Sequence, residues 1–89
     1  MQQRIVLFVG QVQGVGFRFT AHRVAGKFNV TGYVRNLPDG RVECLIEGEA
    51  DEIDAYLSAV SDRMSGYIED RTEQVAPATG AFAGFGVRH

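Results

Sequence analysis

The sequence has one cysteine, no excess of basic residues and no long hydrophobic run, and each lack closes off a class of protein. Cys44 has no partner in the chain, so there is no disulfide framework, and no group of Cys and His has the spacing of zinc ligands. A reducing cytoplasm is the expected setting, with no metal and no cofactor. The 9 basic residues are outnumbered by 11 acidic ones, for a net charge of −2. Such a balance gives no general attraction to nucleic acid or to an anionic membrane, so an anion has to be held by a local site. The apolar stretch from Ile5 to Val9 is too short for a signal-peptide core, and nothing approaches the roughly 20 apolar residues that span a bilayer. The chain is therefore expected to be neither exported nor membrane-embedded.

What is present is ordinary globular material, 45% hydrophobic and 22% charged. A chain of 89 residues has room for one core, so residues 1–89 are expected to form a single domain with one sheet and two helices. No exposed apolar stripe stands out beyond the core faces, which predicts a monomer.

Residues 4–11, RIVLFVGQ, are almost continuously apolar and β-branched, which suits a buried central strand. From Phe17 the apolar positions Phe17, Ala21, Val24, Ala25 and Phe28 fall on one helical face and predict a helix over 17–28. Two strand-like runs, 30–37 and 41–49, flank Pro38-Asp39-Gly40 and read as a hairpin. In the second run Val42, Cys44 and Ile46 alternate with Glu43, Leu45 and Glu47, so one face should be buried and the other largely wet. Asp51 is placed to cap a helix over 51–64 whose stripe is Ile53, Tyr56, Leu57, Val60 and Met64. Gly66 suits the end of that helix, and the polar remainder reads as an edge strand, a loop and a short last strand. The order predicts an α+β fold, a ferredoxin-like βαββαβ sandwich with two helices on one face of an antiparallel sheet.

The chemistry concentrates where the first strand meets the first helix, at Gln13-Gly14-Val15-Gly16-Phe17-Arg18. Free N–H groups at a helix start favour an anion, and two glycines let the backbone curl closely around it. Arg18 adds a permanently charged fork that matches two phosphate oxygens. The same pattern also suits a bare strand-to-helix turn with Arg18 as a solvated charge, and spacing alone does not separate the two. Asn36, at the end of the second strand, can donate to one oxygen and accept from another and so hold a water; taken alone it equally suits a turn-starter before Pro38.

GQVQGVGFR at 10–18 followed by TGYVRNLPDGRVE at 31–43 resembles the two signature stretches of the acylphosphatase family, and the layout agrees over nearly the whole chain. The resemblance implies that Arg18 is the catalytic arginine, Asn36 the catalytic asparagine, and the loop Gln13, Gly14, Val15, Gly16 and Phe17 the phosphate-binding loop. It implies hydrolysis of an acyl phosphate to a carboxylate and inorganic phosphate, with phosphate or sulfate as a product-like ligand. The chain departs from the family at Gln11, where members commonly carry a basic residue, and in the polarity of YIEDRTEQVA.

Three other readings compete. Ferredoxin-like domains also bind RNA through sheet aromatics, but net acidity and the lack of a basic-flanked aromatic motif oppose this. A stand-alone relative of the acylphosphatase-like domain of hydrogenase-maturation carbamoyltransferases would favour carbamoyl phosphate. A sensor would bind a phosphorylated metabolite without turnover, but the joint presence of Arg18 and Asn36 favours catalysis.

The remaining candidates read as structural. His22, one turn after Arg18, is more simply a packing or surface residue, His89 a frayed end, Cys44 an inert core thiol, and Arg23 and Arg35 solvent or ion-pair charges. The acidic residues Glu47, Glu49, Asp51, Glu52 and Asp54 lack the glycine-spaced loop of a calcium site. Phe82, Phe85 and Val87 are expected to close the core rather than contact an acyl group.

Overall fold

The structure, a computed structural model, describes residues 1–89. Seven elements follow one another: β1 (Gln2–Gly10), α1 (Phe17–Ala25), β2 (Val30–Asn36), β3 (Val42–Gly48), α2 (Ala50–Arg63), β4 (Ile68–Pro77) and β5 (Phe85–Arg88). The strands form one sheet in the order β4-β1-β3-β2-β5, and β1, β2, β3 and β4 pair antiparallel as expected. The departure is β5, which adds to the free edge of β2 in parallel and makes the sheet mixed.

Both helices pack on one face over a core of 17 buried residues. Phe17, Ala21, Val24 and Ala25 are the buried face of α1, and Ile53, Tyr56, Leu57 and Val60 that of α2. Beneath them lie Val6 and Phe8 of β1, Val34 of β2 and Val42, Cys44 and Ile46 of β3, all fully buried. Tyr56 joins the layers. Its hydroxyl donates to the Ala21 carbonyl at 3.0 Å, and its ring packs on Phe28 and Phe85 with centroids 6.4 and 5.5 Å away.

Several boundaries move for identifiable reasons. The first helix stops at Ala25 rather than residue 28, because Gly26 ends it and the N–H groups of Lys27 and Phe28 turn to the carbonyls of Val24 and Ala25. Asp51 does not cap α2: Glu49 is the N-cap residue, and the Asp51 carboxylate instead accepts from the neighbouring Glu52 N–H. Nor is β1 buried on both faces. Val6 and Phe8 face the helices, while Ile5 and Leu7 are half-buried and Val9 is exposed on the helix-free side.

The alternation expected in β3 also fails, since Leu45 and Glu47 are buried on the supposedly wet face. Glu47 is enclosed by the crossing from β4 to β5. Its carboxylate accepts from Gln3 Nε2 (2.8 Å), from Thr79 N–H (2.9 Å) and hydroxyl (2.8 Å), and from Gly80 N–H (2.9 Å). Burial alone raises its pKa, but these four donors more than offset that and hold it down from 4.5 to about 2. The returning chain is thus fastened to the sheet by an anion.

A folded-state pKa below the unfolded value means that stability from Glu47 is complete above pH 4.5 and is lost as the pH falls toward 2. Glu47→Gln is expected to lower the melting temperature by roughly 5–10 °C at pH 7. Calorimetry from pH 6 down to 2 should show the gap between variant and wild type closing as Glu47 protonates. A gap constant over that range would mean that the charge is not what holds the crossing.

Candidate active site

Two apolar pegs frame the segment between β1 and α1. Val12 is fully buried and Phe17 is 2% exposed, its ring 4.9 Å from that of Phe8, so the chain between them has to arch out of the core. The arch depends on Gly14 and Gly16, whose φ angles are +77° and +79°, a region no non-glycine residue of the chain enters. The sign of φ therefore alternates from Gln13 to Phe17, the backbone pattern of loops whose successive N–H groups can face one side. Gly16 is also the N-cap residue of α1, with no side chain accepting from the first turn and no acidic residue within it. The positive end of the helix is left unneutralised.

Gln13 fastens this loop to the β2–β3 hairpin. Its Nε2 donates to the carbonyls of Leu37 at 2.7 Å and Arg41 at 3.0 Å. Those carbonyls flank the turn that follows Asn36, so the amide sets the separation of the loop from the asparagine. Along β2, Val30, Gly32 and Val34 are the buried positions, and Asn36 continues their series on the helix side of the sheet.

The result is an open pocket of about 320 Å³ in which Gly14, Gly16, Phe17 and Arg18 meet Asn36, with Val12 behind them and Phe19 at one side. Arg18 is half-buried and belongs to none of the six ion pairs in the chain, so no carboxylate neutralises its charge. Gln13 and Val15 do not line the pocket: one is turned to the hairpin, and the other packs on the core.

Val87 and His89 complete the wall. The last residue is not frayed away, since Arg18 Nη1 lies 3.1 Å from His89 Nδ1, a geometry in which the guanidinium donates to an unprotonated ring nitrogen. Nothing in the local sequence signals this. Only the parallel pairing of β5 with β2, which sets Val87 beside Val34 and Arg88 beside Arg35, brings the tail to the loop.

The other candidates fall elsewhere. His22 borders a neighbouring groove and not the pocket of Arg18. Cys44 is fully buried, and burial pushes its thiol far above the ordinary range. Arg35 projects to the helix-free face, where its Nε pairs with Glu43 at 2.7 Å. Phe82 lies on that face too, against Tyr33 with ring centroids 5.9 Å apart. Phe85 packs on the core, as does Val87, which also lines the pocket as described. The acidic residues are dispersed in use: Glu52 accepts from Asn29 N–H at 2.7 Å, Asp54 pairs with Arg4, and no three such side chains converge as metal ligands.

A family model for acylphosphatase matches residues 4–87. The chain belongs to the acylphosphatase family. It is 40% identical over 75 residues to an acylphosphatase of Methanospirillum hungatei, an alignment covering 84% of this chain and 82% of that one. The crystal structure of acylphosphatase from Bacillus subtilis is similar over the whole of both chains, with a TM-score of 0.89 at 29% identity. The acylphosphatase fold also matches 12% of T. kodakarensis HypF, where 99% of this chain is covered with a TM-score of 0.79 at 29% identity.

If Gln13 sets the loop, Gln13→Ala should cost roughly 1–2 kcal/mol of stability. It should also weaken binding of inorganic phosphate several-fold, as read by titration calorimetry. A stability loss with phosphate affinity unchanged would show that the loop holds its curvature without the hairpin.

Proposed function

We propose that the chain hydrolyses acyl phosphates, with its phosphoryl site in the loop Gln13–Phe17, Arg18 as the charge-stabilising residue and Asn36 as the residue that positions water. One observation carries the reading: the glycine loop, an unpaired arginine and an asparagine share one pocket, though Arg18 and Asn36 lie 18 positions apart in sequence. Membership of the acylphosphatase family supplies the substrate class.

In this reading the phosphoryl oxygens accept from the loop N–H groups and from the Arg18 fork, which draws them against the start of α1. The Asn36 amide holds a water in line with the bond from phosphorus to the acyl oxygen. Water attacks phosphorus and that bond breaks. The carboxylate departs with the electron pair, and the water proton passes to solvent or to the phosphoryl group. A carboxylate is a good leaving group, so positioning and charge stabilisation supply the acceleration without a covalent nucleophile or a metal. In the free state the Arg18–His89 contact keeps the guanidinium at the pocket, and an incoming phosphate would replace His89 as its acceptor. Inorganic phosphate or sulfate is the product-like ligand of the same site. We further propose a monomer working in the cytoplasm.

Steady-state release of phosphate from benzoyl phosphate, after chelation of metals, tests this. Arg18→Ala should lose about 10³-fold or more in kcat/KM, Arg18→Lys most of that, and Asn36→Ala about 10²–10³-fold, chiefly in kcat. Circular dichroism should show all three folded. A wild type that binds phosphate without turnover would overturn the hydrolase reading and leave a sensor of phosphorylated metabolites.

A further inference from the structure

Five large apolar side chains are exposed: Met1, Val9, Phe19, Tyr67 and Val75. Phe19 stands apart from the other four. It is 66% exposed, it follows Arg18 directly, and it alone of the five lines a concavity. It lines two, the pocket of Arg18 and Asn36 and an adjoining groove of about 500 Å³. Its exposure serves no packing, because the neighbouring Phe17 already fills the core position at the start of α1.

The groove runs along α1. Phe19, His22, Arg23 and Gly26 recur at the spacing of one helical face, and Val30 of β2 and Phe85 of β5 meet that face from the sheet. On β5, Phe85 and Val87 point to the same side, so one strand supplies a wall to the phosphoryl pocket and, two residues earlier, a wall to the groove. A substituent leaving phosphorus at Arg18 and passing Phe19 enters a groove whose apolar lining is Phe19, Ala25, Val30 and Phe85, with His22 and Arg23 along the helix side. No Asp or Glu side chain lines either concavity.

We propose that this groove is the acyl subsite, that Phe19 is its specificity-determining wall, and that the chain prefers acyl phosphates with an aromatic or other bulky apolar acyl group over acetyl or carbamoyl phosphate. This rests on the placement of the phosphoryl group at Arg18 made above and extends it to the other half of the substrate. The physical basis is that an acyl group laid against Phe19 removes both apolar surfaces from water, a gain that a methyl or amino group is too small to make.

The test compares benzoyl phosphate with acetyl phosphate in the wild type, Phe19→Ala and Phe19→Leu, alongside inhibition by benzylphosphonate and methylphosphonate. Taking the ratio of kcat/KM for the two substrates within each protein, and then between proteins, cancels their intrinsic reactivity. The benzoyl-to-acetyl ratio is expected to fall about tenfold in Phe19→Ala, mainly through KM, and to recover partly in Phe19→Leu. Benzylphosphonate should weaken by a similar factor and methylphosphonate by less. If turnover persists but the ratio and the inhibition pattern do not change in Phe19→Ala, the acyl subsite is overturned while the phosphoryl site stands. If the wild type hydrolyses neither substrate, both readings fall.

Discussion

The site depends on the burial of Phe17. Its ring sits beside that of Phe8 under α1, and this contact fixes the rotation at which the helix begins. With Phe17 turned in, Arg18 and Phe19 are turned out, one over the loop and the other over the adjoining groove. Gly16 is left as the N-cap residue in a left-handed conformation, so the helix opens on bare N–H groups. Core packing, the bare helix start, the unpaired arginine and the apolar wall are thus set within four consecutive residues by one aromatic anchor. The anchor matters because an arginine on a mobile loop would lose much of its binding energy to ordering, whereas this one is ordered with the core.

A second constraint acts from the far side of the sheet. Glu47 gathers Gln3, Thr79 and Gly80 and so sets where the chain leaves β4 and where β5 can begin. From that point β5 runs beside β2, carrying Phe85 under Tyr56 and taking Val87 and His89 to the pocket. The carboxylate acts at a distance from the chemistry, by fastening the strand that closes the site. A buried anion is tolerated because four donors replace the water it gives up.

Much of the fold was legible in the residues. The stripes of both helices, the Pro38-Asp39-Gly40 hairpin and the polar edge strand follow from period and turn chemistry, and the structure places them within a few residues of expectation. The misplaced features share a cause. Asp51 is a good cap by type but lies two residues past the N-cap position, the helix-free face is wetter at β1 than its continuous apolar run implies and drier at β3 than alternation implies, and the last strand adds in parallel. Each is decided by what packs opposite the residue, which local pattern does not contain.

The sequence by itself determined the loop, its glycines, the arginine and the asparagine, because backbone conformation and charge are properties of the residues present. The tertiary structure decided what surrounds them. Gln13 became a strut between the loop and the hairpin, His89 an acceptor for Arg18, and Phe19 and Phe85 two walls of one groove. These pairings join residues 24 to 71 positions apart, and contacts of that range depend on how strands are ordered in the sheet rather than on any neighbour in the chain.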